Sequence, residues 1–299
     1  MPNGVLYAIC VLIWGSTWYV LTFQVGVVPA ELSVAYRFAL AAVLLLGLVA
    51  LRRGSLRFTI VQHGRMAAQG LLSIGISYTL VYLAAGYLPS GLLAVTNTNI
   101  VFMTILFGFL FFGQPLRPRM IVGALIGFSG MALMFAPDLA GFDVSSGTGA
   151  GLAFALAGTV ASALGALIGG ANQRAGIPVL PCTGYAMAYA AAAVFLFAML
   201  RGDALVFEAT VAYIGSLVYL AVFGSVVTFA CFFTLVARIG ADRASYVTVM
   251  FPVVALAIST VLEGYEWTLS AFVGAALVLI GNLVAMARLP RLDRGRVPA

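Results

Sequence analysis

Hydrophobicity along these 299 residues falls into ten blocks, and one pattern is written twice, about 150 residues apart. The blocks run over 4–23, 30–51, 66–87, 91–112, 117–136, 149–171, 178–200, 211–237, 243–262 and 268–287. Each supplies the ~20 apolar residues that a helix needs to cross a hydrocarbon core of about 30 Å. The echo is visible in single residues. Pro29, Tyr36 and Arg52 recur as Pro178, Tyr185 and Arg201 at an offset of 149. Ala94 and Thr98 recur as Ala244 and Thr248 at 150, and Gly123 and Gly130 as Gly274 and Gly281 at 151. One such match is cheap in a chain rich in Ala and Gly, whereas a near-constant offset held across four helices is not. Five helices is an odd number, so the second copy enters the membrane from the opposite side. The pattern therefore predicts an all-α polytopic membrane protein of ten transmembrane helices, residues 1–140 forming one five-helix repeat and 141–299 its inverted copy. In secondary transporters that plan places the substrate site near the midplane, between the halves.

Composition agrees with lipid as the solvent, since 63% of residues are hydrophobic and only 8% charged, against about 25% charged in soluble domains. All fifteen basic residues are Arg, and they occupy short loops rather than one face, which gives no footprint for nucleic acid. With the N-terminus in the cytoplasm, thirteen of them fall inside (Arg52, Arg53, Arg57, Arg65, Arg117, Arg119, Arg174, Arg238, Arg243, Arg288, Arg291, Arg294, Arg296) and only Arg201 outside. The positive-inside rule thus puts both termini in the cytoplasm. Seven acids, Glu31, Asp138, Asp143, Asp203, Glu208, Glu263 and Glu266, land on the outer side. The first block is as long as a full span and no Arg or Lys precedes it, so it reads as the first helix and not as a cleaved signal. Cys10, Cys182 and Cys231 are scattered within predicted helices, which argues against a disulfide framework or a metal site. Small residues at close-packing spacing, such as Gly123/Gly127 and Gly165/Gly169, suit helix contacts in lipid.

Several stretches resemble the EamA-type drug/metabolite transporters. Trp14-Gly15-Ser16-Thr17 is similar to the family's Trp-Gly-Ser/Thr motif, and Tyr36-Arg37-Phe38 followed by Arg52-Arg53-Gly54 to its Arg-Phe segment with a basic loop. Gly113-Gln114-Pro115-Leu116 and Gly123-Ala124-Leu125-Ile126 resemble its Gly-Glu-x-Leu and Gly-Ala-Leu-Ile pair, with Gln114 where Glu is usual. Gly240-Ala241-Asp242-Arg243-Ala244, Pro252-Val253-Val254-Ala255, Glu263 to Thr268 and Gly274 to Asn282 extend the likeness through the second half. Within the family the chain most resembles the inner-membrane exporters of aromatic and other amino acids. The resemblance implies a bacterial inner-membrane protein that moves small metabolites outward. It also implies a central cavity bounded by helices one, three, four, six, eight and nine, with five and ten at the periphery.

Ionisable groups inside a bilayer are costly and mark function, so Arg37 stands out as the one basic residue within a block. It either binds a substrate carboxylate in bidentate fashion, or pairs with Glu31 or snorkels to the interface. No Asp or Glu lies near the middle of any block, and His63 falls in a cytoplasmic loop. Without a buried carboxylate relay, uncoupled facilitated diffusion or exchange is expected. The tract Thr96-Asn97-Thr98-Asn99 covers every face of the fourth helix, so part of it must face protein or water. Asn97 and Asn99 are its candidate substrate contacts, and interhelical bonding is the alternative. Asn282, deep in the tenth block, calls for an interhelical partner.

Aromatic faces beside hydroxyls suit a solute with an apolar ring and a polar end. Trp14 and Trp18 share a face of the first helix next to Ser16 and Thr17, and Tyr78 and Tyr82 share one on the third near Ser77. Ser225, Thr228 and Phe229 on the eighth helix, and Tyr246 and Thr248 on the ninth, complete the candidate set. Ordinary packing is the competing reading for each aromatic pair. Pro252, in the middle of the ninth block, removes a backbone donor and frees the carbonyl of Thr248, which makes it a candidate gate hinge.

No P-loop, metal-ligand cluster or Ser–His or Cys–His pair is present, so neither an enzyme nor a cofactor is expected. The partners expected are small molecules, amino acids foremost, and lipid. One chain holds both halves, so a monomer is expected to suffice. Two other readings stay open: broad drug or metabolite efflux by proton antiport, and a membrane receptor or scaffold without flux.

Overall fold

The computed structural model describes residues 1–135, 147–244 and 246–286. Among them the chain is helical, without strands. The helices are α1 (Asn3–Thr22), α2 (Ala30–Leu51), α3 (Ile60–Ala85), α4 (Ser90–Phe111), α5 (Pro118–Met134), α6 (Gly147–Arg174), α7 (Val179–Arg201), α8 (Val211–Ile239), α9 (Val247–Leu262) and α10 (Leu269–Met286). Eight are long and apolar enough to cross a membrane by length and composition, and α5 and α9 are shorter apolar helices. Large side chains on the outer surface are apolar, as a lipid-facing exterior requires: Val43 is 70% exposed, Leu125 65% and Val261 78%. The expected junction near residue 140, with Asp138 and Asp143, and the basic residues Arg288, Arg291, Arg294 and Arg296 lie outside the described residues.

Two boundaries differ from the hydropathy reading. Helix α3 begins at Ile60, six residues before the apolar block, because Thr59 and Gln62 form a capping box with both reciprocal bonds made. His63 and Arg65 therefore lie in its first turns and not in a loop. Helix α9 begins at Val247, after a separate turn at Ala241–Ala244. This corrects the placement of Pro252, which is buried in the second turn of α9 rather than at its centre.

Tight pairs are made where side chains are smallest. Helices α5 and α10 are antiparallel, with Gly123 against Gly281 and Gly130 against Gly274. A Cβ on any of the four would fall 2.5–2.6 Å from the carbonyl oxygen of its partner. Helices α2 and α7 form a second antiparallel pair, Leu46 lying over Gly184 at one end and Arg201 reaching Glu31 at 3.0 Å near the other. Between these pairs α1 packs against α4, α8 and α9, and α6 against α3 and α4.

Three interruptions disturb the helices at the centre. Residues Leu71–Ile76 of α3 and Val222–Val227 of α8 are π-helical, six residues each, and begin 151 residues apart. Such wide turns recur at functional sites because they leave carbonyls poorly matched within the helix. Helix α4 breaks at Thr98–Asn99, where the amides of Thr98, Asn99 and Val101 bond three residues back instead of four.

Candidate functional site

The interruptions surround a cavity of about 270 Å³ lined from α1, α2, α3, α4, α6, α8 and α9. Its aromatic wall begins at Trp14, whose ring lies edge-on to Phe229 (5.7 Å between centroids) and 5.3 Å from Phe232. Trp18 stacks on Phe251 at 6.2 Å. The indole N–H of Trp14 donates to the carbonyl of Gly224 at 3.2 Å, using an acceptor within the π-helical stretch of α8. This bond fixes the ring plane and joins α1 to α8.

Opposite stands Arg37, 3% exposed, two turns into α2. Its guanidinium carbon lies 4.9 Å from the Phe38 ring and 5.0 Å from that of Tyr78. One terminal nitrogen donates to the Tyr82 hydroxyl at 3.4 Å, and Nε is buried with no acceptor. Among the described residues no carboxylate lies within ion-pair distance of Arg37, and Glu31 pairs with Arg201 instead. A cation at bilayer depth costs about 2.5–3.5 kcal/mol on insertion scales. Two ring faces contribute roughly 0.5–2 kcal/mol each, which offsets much of the charge cost. They supply no acceptor for the N–H groups, so the fork keeps unused donors.

Apart from Arg37 the polar lining is uncharged among the described residues. Ser77, Asn97 and Ser162 border the cavity, and among the described residues their side chains make no hydrogen bond. Thr17 also lines it, its hydroxyl turned to the Trp14 carbonyl at 2.7 Å. Thr98 donates to the Val95 carbonyl at 2.7 Å and accepts from the Asn282 amide at 3.1 Å. That contact and the Val278 carbonyl occupy the Asn282 amide group, giving it an interhelical partner.

Of the candidates named from sequence, Trp14, Thr17, Trp18, Arg37, Ser77, Tyr78, Asn97, Phe229 and Thr248 border this one cavity. The others do not. Ser16 is turned to Tyr219 at 2.7 Å. Tyr82 stands behind Arg37 and donates to Gln24 at 3.4 Å. Asn99 is fully buried and donates to the Thr96 carbonyl and the Met131 sulfur. Ser225 and Thr228 return their hydroxyls to carbonyls five residues back, of Leu220 and Phe223, acceptors that the π-helical turn exposes. Tyr246 contributes its carbonyl to the start of α9 and lies off the wall, as does Pro252. Ser162, Gly224 and Phe251 were missed. Phe251 is three residues after Thr248 on the same helical face, and Ser162 and Thr159 are hydroxyls one turn apart in an otherwise apolar stretch of α6, so both missed residues are marked in the sequence. Gly224 carried none.

The packing beyond the cavity differs toward the two ends of the bundle. Toward the start of α1, Leu6, Cys10, Val11, Leu235, Ala244 and Val247 pack as an apolar plug. Toward the other end, buried polar groups interlock. Gln24 donates to the Tyr213 carbonyl and the Ser216 hydroxyl, while the Ser33 and Tyr213 hydroxyls share a 2.9 Å bond.

A bundle of lipid-facing helices enclosing a cavity with an aromatic wall, neutral polar groups and one buried cation defines a polytopic membrane protein that can hold a small solute. Comparison with known proteins makes the class specific. The EamA-like transporter family matches residues 2–136 and again 149–287, and the chain belongs to that family. It is 29% identical over 284 residues to the "Uncharacterized inner membrane transporter YedA" of Escherichia coli (strain K12), covering 93% of this chain and 89% of that one. It is 25% identical over 294 residues to "Protein PecM" of Dickeya dadantii (strain 3937), covering 96% and 94%. It is 23% identical to the "Probable amino-acid metabolite efflux pump" of Escherichia coli (strain K12), covering 93% of each. A solved structure described as "Crystal structure of protein" shares the fold at a TM-score of 0.67, with 18% identity and coverage of 95% and 96%.

Proposed function

We propose that this transporter exports small amphipathic metabolites that join a carboxylate to an apolar or aromatic body, amino acids among them, across a bacterial inner membrane. The observation that carries the reading is the Arg37 fork facing the same cavity as Trp14, Trp18 and Phe251. A carboxylate takes two parallel N–H donors, and a ring takes an aromatic wall. The relatives support the direction and the membrane through their names, inner membrane transporter and amino-acid metabolite efflux pump.

Transport proceeds by alternating access between two inverted five-helix halves, with ten crossings and both termini in the cytoplasm. The double family match, the π-helical stretches 151 residues apart and the reciprocal glycine contacts of α5 and α10 support two copies of one unit. One chain contains both halves, and a monomer is the working unit. Among the described residues the cavity lining includes no Asp, Glu or His, which favours flux driven by the substrate gradient over proton antiport.

Counterflow of labelled phenylalanine or tryptophan in proteoliposomes containing only this protein tests the proposal. Saturable exchange that ignores an imposed pH gradient is the expected result. Uphill accumulation that collapses with that gradient would replace facilitation by proton antiport. Absence of saturable flux would reject ring-bearing carboxylates as substrates.

A further inference from the structure

The net charge of the substrate follows from the charges around the cavity, on the footing of the transport proposed above. Among the described residues the lining carries one formal charge, the guanidinium of Arg37, and no carboxylate. A zwitterionic amino acid whose carboxylate sits on that fork brings its ammonium to within one carbon of the same cation. The groups that can receive the ammonium are neutral: the hydroxyl oxygens of Ser77, Ser162 and the lining threonines such as Thr17, the amide oxygen of Asn97 and the ring faces. These are dipoles and quadrupoles, weaker than the guanidinium's repulsion at the same range. A carboxylate without the ammonium meets only attraction. It leaves the cavity neutral and offers an acceptor to the terminal guanidinium nitrogens, one of which stands 3.8 Å from where a Cβ of the lining residue Gly224 would lie.

We infer that the site selects net anions over zwitterions, its preferred solutes being ring-bearing or branched monocarboxylates without an α-ammonium, and that their flux is electrogenic. An inside-negative potential then drives export directly. One charge crossing 100 mV corresponds to ~2.3 kcal/mol, or about fifty-fold in the gradient sustained. No ion need be coupled.

Three probes that share a phenylethyl body separate the charge states: phenyllactate (anion), phenylalanine (zwitterion) and phenethylamine (cation). Binding to the purified full chain is read from intrinsic fluorescence, since Trp14 and Trp18 stand on the wall. Flux is read in proteoliposomes under a potassium–valinomycin potential, against protein-free vesicles for passive leak. Phenyllactate is expected to bind at least tenfold tighter than phenylalanine, with phenethylamine weakest. Its efflux should rise with inside-negative potential while that of phenylalanine does not change. In Arg37→Gln the ranking should collapse. Should that variant not fold, Asn97→Asp adds a carboxylate to the same lining and is expected to move the preference toward phenylalanine.

Equal or tighter binding of phenylalanine, a potential-independent flux of phenyllactate, or an unchanged ranking in folded Asn97→Asp overturns the charge selection. Saturable phenylalanine exchange in those cases keeps the transport proposal standing. No saturable flux of any probe rejects the proposed substrate class, and the charge selection with it.

Discussion

Gly130 and Gly274 meet backbone to backbone: a Cβ on either would lie 2.6 or 2.5 Å from the carbonyl oxygen of the other. Gly123 and Gly281 repeat the contact on the far side of the crossing, so the α5–α10 seam is related to itself by an approximate two-fold axis. Because the obstructing atoms are backbone, a methyl cannot be absorbed by a rotamer change. The two helices must separate.

Gly130→Ala should therefore lower the thermal midpoint of the purified protein, at a cost of about 1–3 kcal/mol for an overpacked contact. Gly47→Ala, on α2 with nothing within 4 Å, is the matched control. It should hold or raise the midpoint, since Ala is favoured over Gly in a helix by about 0.5–1 kcal/mol. Equal midpoints for the two variants would remove the seam from the account of stability.

Gln24 gathers three helices at the polar end of the cavity and is 1% exposed. Its amide donates to α8 at Ser216 and its oxygen accepts from Tyr82 of α3, which in turn receives Arg37. If this cluster is a gate, Gln24→Ala should speed labelling of a cysteine placed at Ser33, which is 0% exposed, by a membrane-impermeant maleimide in a background lacking the three native cysteines. A labelling rate unchanged from the parent would make the cluster a fixed seal.

How far the sequence could be read depended on whether a feature is local. The glycine offset of 151 was visible, and those glycines form the α5–α10 seam. Asn97 and Asn99 lie two residues apart, on nearly opposite faces of a helix, and it is Asn97 that borders the cavity while Asn99 donates to Met131. Periodicity separates the two but does not say which face turns inward. The π-helical stretches were not legible at all, because no residue type marks a five-residue hydrogen bond. Glu31 offered itself to Arg37 six residues away and instead pairs with Arg201, 170 residues away, a choice made by the α2–α7 packing. The start of α3 was legible in Thr59 and Gln62, but Gln62, His63 and Arg65 dilute the hydropathy on which the block was drawn.

Gly224 is a place where the cavity tolerates no side chain. A Cβ there would meet Cγ2 of Thr17 at 2.8 Å and stand 3.8 Å from a terminal nitrogen of Arg37. Gly224→Ala should weaken substrate binding by on the order of 1 kcal/mol, five- to tenfold. Thr17→Ser removes the methyl in the way while keeping the hydroxyl, so the double variant should recover most of the affinity. Binding isotherms read from fluorescence decide it, and failure of Thr17→Ser to rescue would place the damage elsewhere.

Glu263 joins the end of α9 to the start of α4. Its carboxylate accepts from the Ser90 amide at 3.1 Å and the Ser90 hydroxyl at 2.7 Å, where the first amides of α4 have no partner within their own helix. A negative charge at a helix N-terminus is favourable by roughly 0.3–1 kcal/mol, and by up to ~2 kcal/mol when partly buried. The contact also ties together α4 and α9, which both line the cavity. Glu263→Gln should lower the thermal midpoint by a few degrees, because its remaining carbonyl oxygen is a neutral, weaker acceptor and its NH2 cannot accept at all. Ser90→Ala should cost a similar amount, and the two should combine to less than their sum, since each removes the same bond. Strictly additive losses in that double-mutant cycle would show that Glu263 and Ser90 stabilise the fold independently.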